Sequence, residues 1–125
     1  MTQEQIRLYN ELKNKLYESA ERVAKYFVKL NRSYEFIDSW EIDEDENEVV
    51  GEGTETWNYG GFEEHYVYFD TKWLYATDKE LQNYVDSILK EEEKIRQEKL
   101  EEKHKKAKEQ KYQEYLKLKT EFEGE

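Results

Sequence analysis

Residues 34–69 read YEFIDSWEIDEDENEVVGEGTETWNYGGFEEHYVYF, and the fold class turns on how that run divides. Tyr34, Phe36, Trp40 and Ile42 recur at even spacing, which places them on one face of a strand over 34–42. Asp43 to Asn47 is wholly polar and reads as a turn. A second strand is expected over 48–57, from Val49-Val50 through a Thr/Glu alternation to Trp57. Gly51 and Gly53 inside it predict a bulge or an edge position. Asn58-Tyr59-Gly60-Gly61 is a second turn, and Phe62 to Phe69 supplies a third strand. Connections this short favour an antiparallel meander.

Outward from this centre the periodicity changes. Leu8, Leu12, Leu16, Ala20, Val23, Ala24 and Phe27 recur every three or four residues, the stripe of an amphipathic helix over 3–30 that packs on a core. Thr2 followed by Gln5 forms a capping box, and Asn31-Arg32-Ser33 a stop. Asp70 to Ala76 links the sheet to a last helix, with Trp73, Leu74 and Tyr75 expected to cap the core. Thr77-Asp78-Lys79-Glu80 opens that helix with a second capping box. Its stripe, Leu81, Tyr84, Val85, Ile88, Leu89 and Ile95, fades over 96–111 and resumes at Tyr112, Tyr115, Leu116 and Phe122. A continuous helix over 78–119 would span about 63 Å. It therefore projects, breaks near 96–111 and folds back, or pairs with another chain. The expectation is an α+β protein: an N-terminal amphipathic helix, a three-stranded antiparallel meander and a long C-terminal helix. Residues 1–95 form one domain and 96–125 a charged helical extension.

Composition narrows the chemistry. The 125 residues are 36% hydrophobic and 41% charged, which alone would favour disorder. The 11 Tyr, 5 Phe and 3 Trp argue for a folded core, since each ring buries a large apolar area. With no Cys, disulfides, thiolate metal sites and a cysteine nucleophile are excluded. The opening residues Met1 to Gln5 are polar, and neither a signal core nor a membrane span is read. A cytoplasmic protein is expected.

The net charge of −11 is unevenly placed. Residues 33–71 hold 13 acids and no Lys or Arg, while the rest of the chain holds 18 acids against 20 bases. Like charges held close together destabilise a compact state, so the clustering has a cost that a function would explain. Asp43-Glu44-Asp45-Glu46-Asn47 begins like a calcium loop, but Glu48 and Thr54 stand where that loop needs Gly and Glu. His65 reads as an ordinary strand histidine and no Ser sits in a nucleophile elbow. Lys103, Lys105, Lys106, Lys108 and Lys111 scatter around a helix axis as a solvated surface. No catalytic residue, cofactor or metal site is expected, and no enzyme.

What is left is a binding surface. Glu41, Asp43, Glu44, Asp45, Glu46, Glu48, Glu52 and Glu55 are the expected partner contacts, with Trp40, Trp57 and Tyr59 as aromatic anchors beside them. Carboxylates fixed on a β scaffold imitate a phosphate array, so the partner would be a basic protein, with no direct nucleic acid and no membrane. The stretches Trp57-Asn58-Tyr59-Gly60-Gly61-Phe62-Glu63-Glu64, Tyr68-Phe69-Asp70 with Leu74, and Thr77-Asp78-Lys79-Glu80-Leu81 resemble small proteins of phage and mobile-element genomes. The compact, acidic style with a charged helical tail is similar to phage-encoded inhibitors of host defence, including anti-CRISPR proteins. That resemblance implies a nucleic-acid-guided nuclease as the class of target. The alternative is a structural or assembly adaptor that oligomerises through its helices, with a homo-oligomer joined through the C-terminal helix as one form.

Overall fold

The computed structural model describes the backbone of residues 1–123 and the side chains of residues 1–120. Phe122, expected in the last apolar stripe, lies outside the described side chains. The elements run α1 (Gln3–Phe27), a 3-10 turn (Arg32–Phe36), β1 (Ser39–Asp43), β2 (Glu48–Thr56), β3 (Phe62–Asp70), a second 3-10 turn (Thr71–Tyr75) and α2 (Asp78–Glu123). The fold is therefore α+β, with the helix–meander–helix order expected. The chain divides into two compact units, Met1–Ser87 and Ile88–Glu125. Among the described residues no helix is long and apolar enough to cross a membrane.

In the first unit the sheet order is β1-β2-β3, antiparallel throughout. Trp40, Val49, Val67 and Phe69 on one face of the sheet are buried, together with Ala20, Val23 and Phe27 of α1 and Leu81 and Val85 of α2. Burying a side chain such as Leu81, Val23, Val49 or Val85 completely is worth roughly 1.5–3 kcal/mol. Phe27 sits at the centre. Its ring meets Tyr34, Phe69 and Trp73 edge-on at 5.8, 6.0 and 5.7 Å, and Tyr84 at a tilt at 5.5 Å. These are favoured aromatic geometries, and they join both helices, both 3-10 turns and the sheet.

Local chemistry sets the element ends. Thr2 Oγ1 accepts from Gln5 N–H at 3.1 Å while Gln5 Oε1 accepts from Thr2 N–H at 2.8 Å, a complete capping box. Glu80 N–H donates to Thr77 Oγ1 at 3.1 Å at the start of α2. Arg22 of α1 donates to Asp78 Oδ1 at 2.8 Å and to the Ala76 carbonyl at 2.7 Å, fixing the entry into α2.

Four expectations need correction. The first strand begins at Ser39, not Tyr34. Asn31 Oδ1 accepts from Ser33 N–H at 3.0 Å, which starts the 3-10 turn and takes Tyr34 and Phe36 out of extended structure. Gly51 and Gly53 mark no bulge: both lie in unbroken register with β3, opposite Val67 and His65, and Gly51 is also paired with Trp40 of β1, whereas Gly53 stands just past the end of the β1 pairing, where β2 has a neighbour on one side only. They are there for clearance. A Cβ on Gly53 would lie 1.5 Å from the Phe36 carbonyl oxygen, and one on Gly51 would lie 2.6–2.8 Å from Trp40, Ile37 and Val67 side chains. The α1 stripe is covered only from Leu16 onward, since Leu8 and Leu12 are more than half exposed. Finally, Tyr75 is exposed and caps nothing, whereas Trp73 and Leu74 do pack on the core. Of the three courses open to the last helix, a break near 96–111 is not seen: α2 is continuous.

Candidate functional site

The side of the sheet away from the core carries most of its acids. Strand alternation and register stack that face in rows. Asp43, Glu48 and Asp70 lie directly opposite one another across all three strands. The next row is Glu41, Val50 and Tyr68, and then come Ser39, Glu52 and Tyr66. Thr54 faces Glu64, and Thr56 faces Phe62. The face is open: Phe62 is 65% exposed, Tyr66 47% and Tyr68 58%. Among the described residues, none of Glu41, Asp43, Glu48, Glu52, Glu64 and Asp70 forms an ion pair.

Like charges set directly opposite in a sheet are unfavourable. Two members of the first row have structural work that accounts for them. Asp43 Oδ1 accepts from Asp45 and Glu46 N–H at 3.1 and 3.3 Å, closing the β1–β2 turn, where Asn47 takes the left-handed conformation. Asp70 Oδ1 accepts from Lys72 N–H at 2.9 Å and caps the second 3-10 turn. Glu41, Glu48 and Glu52 make no such bonds. Tyr66 O–H donates to Glu64 Oε2 at 2.8 Å, and that bond, with the adjacent carboxylate charge, raises the phenol's pKa.

The expected partner contacts are only partly brought together. Glu41, Asp43, Glu48 and Glu52 share the open face. Glu44, Asp45 and Glu46 form the turn at its β1–β2 end and are exposed. Trp57 and Tyr59 are exposed, but they occupy the β2–β3 turn at the other end of β2, about 27 Å of strand away. They therefore do not flank the acidic turn. Trp40 is no anchor either: it is 3% exposed in the core, and its indole Nε1 has no hydrogen-bond partner among the described residues. The aromatic groups that do stand among the acids are Tyr66 and Tyr68. Period-two reading of Phe62 to Phe69 could have found them, since Val67 and Phe69 claim the core and leave the even-numbered residues outside.

Glu55 belongs to a different cluster, on the core side of the sheet. Its carboxylate is 11% exposed and accepts from Arg32 Nη2 at Oε1, 2.7 Å away. Its Oε2 lies 3.3 Å from His65 Nε2. Burial pushes the Glu55 carboxyl upward, but hydrogen bonds and charge from Arg32 and His65 outweigh it and hold the pKa below the ordinary range. His65 Nδ1 is 2.9 Å from Ser33 Oγ, and the imidazole stacks on Phe36 at 4.7 Å, with the Arg32 guanidinium over that ring at 4.9 Å. Glu63, directly opposite Glu55, brings its Oε2 to 4.0 Å from His65 Nε2. Three atoms able to ligate a metal, one each from Glu55, Glu63 and His65, thus lie within 4.8 Å of one another.

No family model, curated protein or solved structure matches this chain.

Proposed function

We propose that this protein is a non-enzymatic inhibitor that docks the open, acidic face of its sheet on a basic, nucleic-acid-binding protein. The observation that carries the reading is the combination on one surface of Glu41, Glu48, Glu52 and Glu64, none of them ion-paired among the described residues, with exposed Tyr66 and Tyr68. Carboxylates on a rigid sheet present negative charge without reorganisation, as a nucleic acid presents phosphates. Tyrosine supplies apolar area with a polar end, the usual make-up of an interface centre. Such a face steers a cationic partner in quickly and loses affinity with salt. A nucleic-acid-guided nuclease in the host cytoplasm is the class of target that the phage-inhibitor resemblance implies. The partner contacts are Glu41, Asp43, Glu48, Glu52, Glu64, Tyr66 and Tyr68, with the turn acids Glu44, Asp45 and Glu46 as a rim.

The test is binding to a purified guide-loaded nuclease at several salt concentrations, with and without target duplex. Competition with the duplex and a steep fall in affinity with salt support the reading. Salt-independent binding, or simultaneous binding with the duplex, contradicts it.

One observation favours the adaptor reading as a second. Ile6, Leu8, Tyr9 and Leu12 of α1 are all about half exposed. An apolar run of this kind suits helix-to-helix association of two copies. Sedimentation separates the readings: a concentration-dependent dimer lost on Leu8→Asp/Leu12→Asp substitution favours the adaptor.

A further inference from the structure

The geometry points to a divalent transition-metal site, of the zinc class, formed by Glu55, Glu63 and His65 at the β2–β3 edge. The register sets Glu55 directly opposite Glu63, and His65 follows Glu63 by two residues, so all three side chains leave the same face of the sheet. Two carboxylates in a directly opposed pair repel unless a cation sits with them. Arg32 answers for one carboxylate oxygen only: it holds Glu55 Oε1 and leaves Oε2 turned to the imidazole. Glu63 has no Lys or Arg partner among the described residues, and its nearest basic group is the His65 imidazole.

The spacing suits a small tetrahedral ion. Ligand atoms about 2.0–2.2 Å from zinc stand about 3.3–3.6 Å apart in a tetrahedron. His65 Nε2 and Glu55 Oε2 are already 3.3 Å apart, and Glu63 Oε2, at 4.0 Å, is carried by a side chain 57% exposed and free to close the gap. Water would complete the coordination, as in sites with three protein ligands. The outer contacts fit as well. Ser33 Oγ, 2.9 Å from Nδ1, stands where it can accept Nδ1–H, the tautomer in which the Nε2 lone pair is free for a metal that replaces the Nε2 contact with Glu55. Stacking on Phe36 fixes the ring plane. One imidazole with two carboxylates selects zinc-class ions over calcium and magnesium, which take oxygen ligands in larger number or with retained water. The site lies on the core side of the sheet, so it is separate from the open docking face and does not depend on that reading.

The experiment titrates the chelator-treated full chain with Zn²⁺ by calorimetry, and with Co²⁺ by its visible d–d absorption. One equivalent is expected to bind, with a tetrahedral Co²⁺ spectrum and no comparable uptake of Mg²⁺ or Ca²⁺. Glu63→Gln should weaken Zn²⁺ binding about tenfold or more while leaving the metal-free far-UV dichroism unchanged, since Glu63 is exposed. Ser33→Ala should weaken it by about 10-fold through loss of imidazole orientation. Neutralising Glu41, Asp43 and Glu48 together should leave it intact. The proposal is overturned if no saturable equivalent binds, if Glu63→Gln binds as tightly as the unaltered chain, or if uptake follows the open-face acids instead.

Discussion

At the scale of single residues, clearance and burial decide more than propensity does. Gly53 is the sharpest case, because its missing Cβ is the space that the Phe36 carbonyl fills. Gly53→Ala should lower stability by about 3 kcal/mol in urea unfolding, as the 32–38 segment is forced off the sheet. Gly60 sits in the β2–β3 turn at φ 79° with open space around it, so Gly60→Ala should cost only about 1–2 kcal/mol of left-handed strain. Equal losses at the two positions would contradict the clearance argument. The sequence displays both glycines with equal clarity but cannot distinguish these roles, because the group that needs the room comes from a turn 16 or 17 residues earlier in the chain. Tyr34 offers a second residue-level test. Burial first, and the neighbouring Tyr84 second, push its phenol up to about 12 from an ordinary 10.0. Below pH 10 both the folded and the unfolded chain hold that proton, so the native state keeps its full stability. As pH rises from 10 through 12 the unfolded chain ionises first, and stability falls. Comparing Tyr34→Phe with the unaltered chain across pH 9 to 12 should show a flatter decline in the variant. Parallel curves would place the phenol in water.

At the scale of elements, the meander was legible because its turns are polar or glycine-rich and its strands aromatic. Strand alternation could have been carried one step further, to name Tyr66 and Tyr68 as outward residues and Glu55 as an inward one. What hid Glu55 was its partner: Arg32 comes from a 3-10 turn that the period-two pattern of Tyr34 and Phe36 had disguised as strand. The helices divide in a similar way. α2 buries Leu81 and Val85 near its start, whereas from Leu89 to Thr120 every described residue is exposed. Beyond the first unit, pairs such as Lys106–Glu102 at 3.4 Å are worth only a few tenths of a kcal/mol each. Amide exchange should therefore be slow for residues 81–88, opening only with global unfolding, and much faster for residues 96–118. Uniform protection along α2 would mean that something packs along its length. A chain ending at residue 95 should keep the same unfolding midpoint, because the buried cluster lies wholly within Ala20 to Val85.

At the scale of the molecule, the placement of charge is the feature that asks for a function. Net charge was readable from composition, and so was its confinement to 33–71. Its division between two faces was not, since that depends on register and on which face α1 covers. Most of the strand acids stand outward with Tyr66 and Tyr68, while Glu55 turns inward to Arg32 and His65. The measurement that bears most directly on this account compares two variants of equal net charge against the guide-loaded nuclease. One neutralises Glu41, Glu48, Glu52 and Glu64 as Gln on the open face; the other neutralises Glu18, Glu21, Glu91 and Glu98 on the helices. The open-face variant should lose about 10-fold or more in affinity while the helix variant changes less than about threefold. Equal losses in the two would mean that only total charge matters, and the docking face would have to be given up.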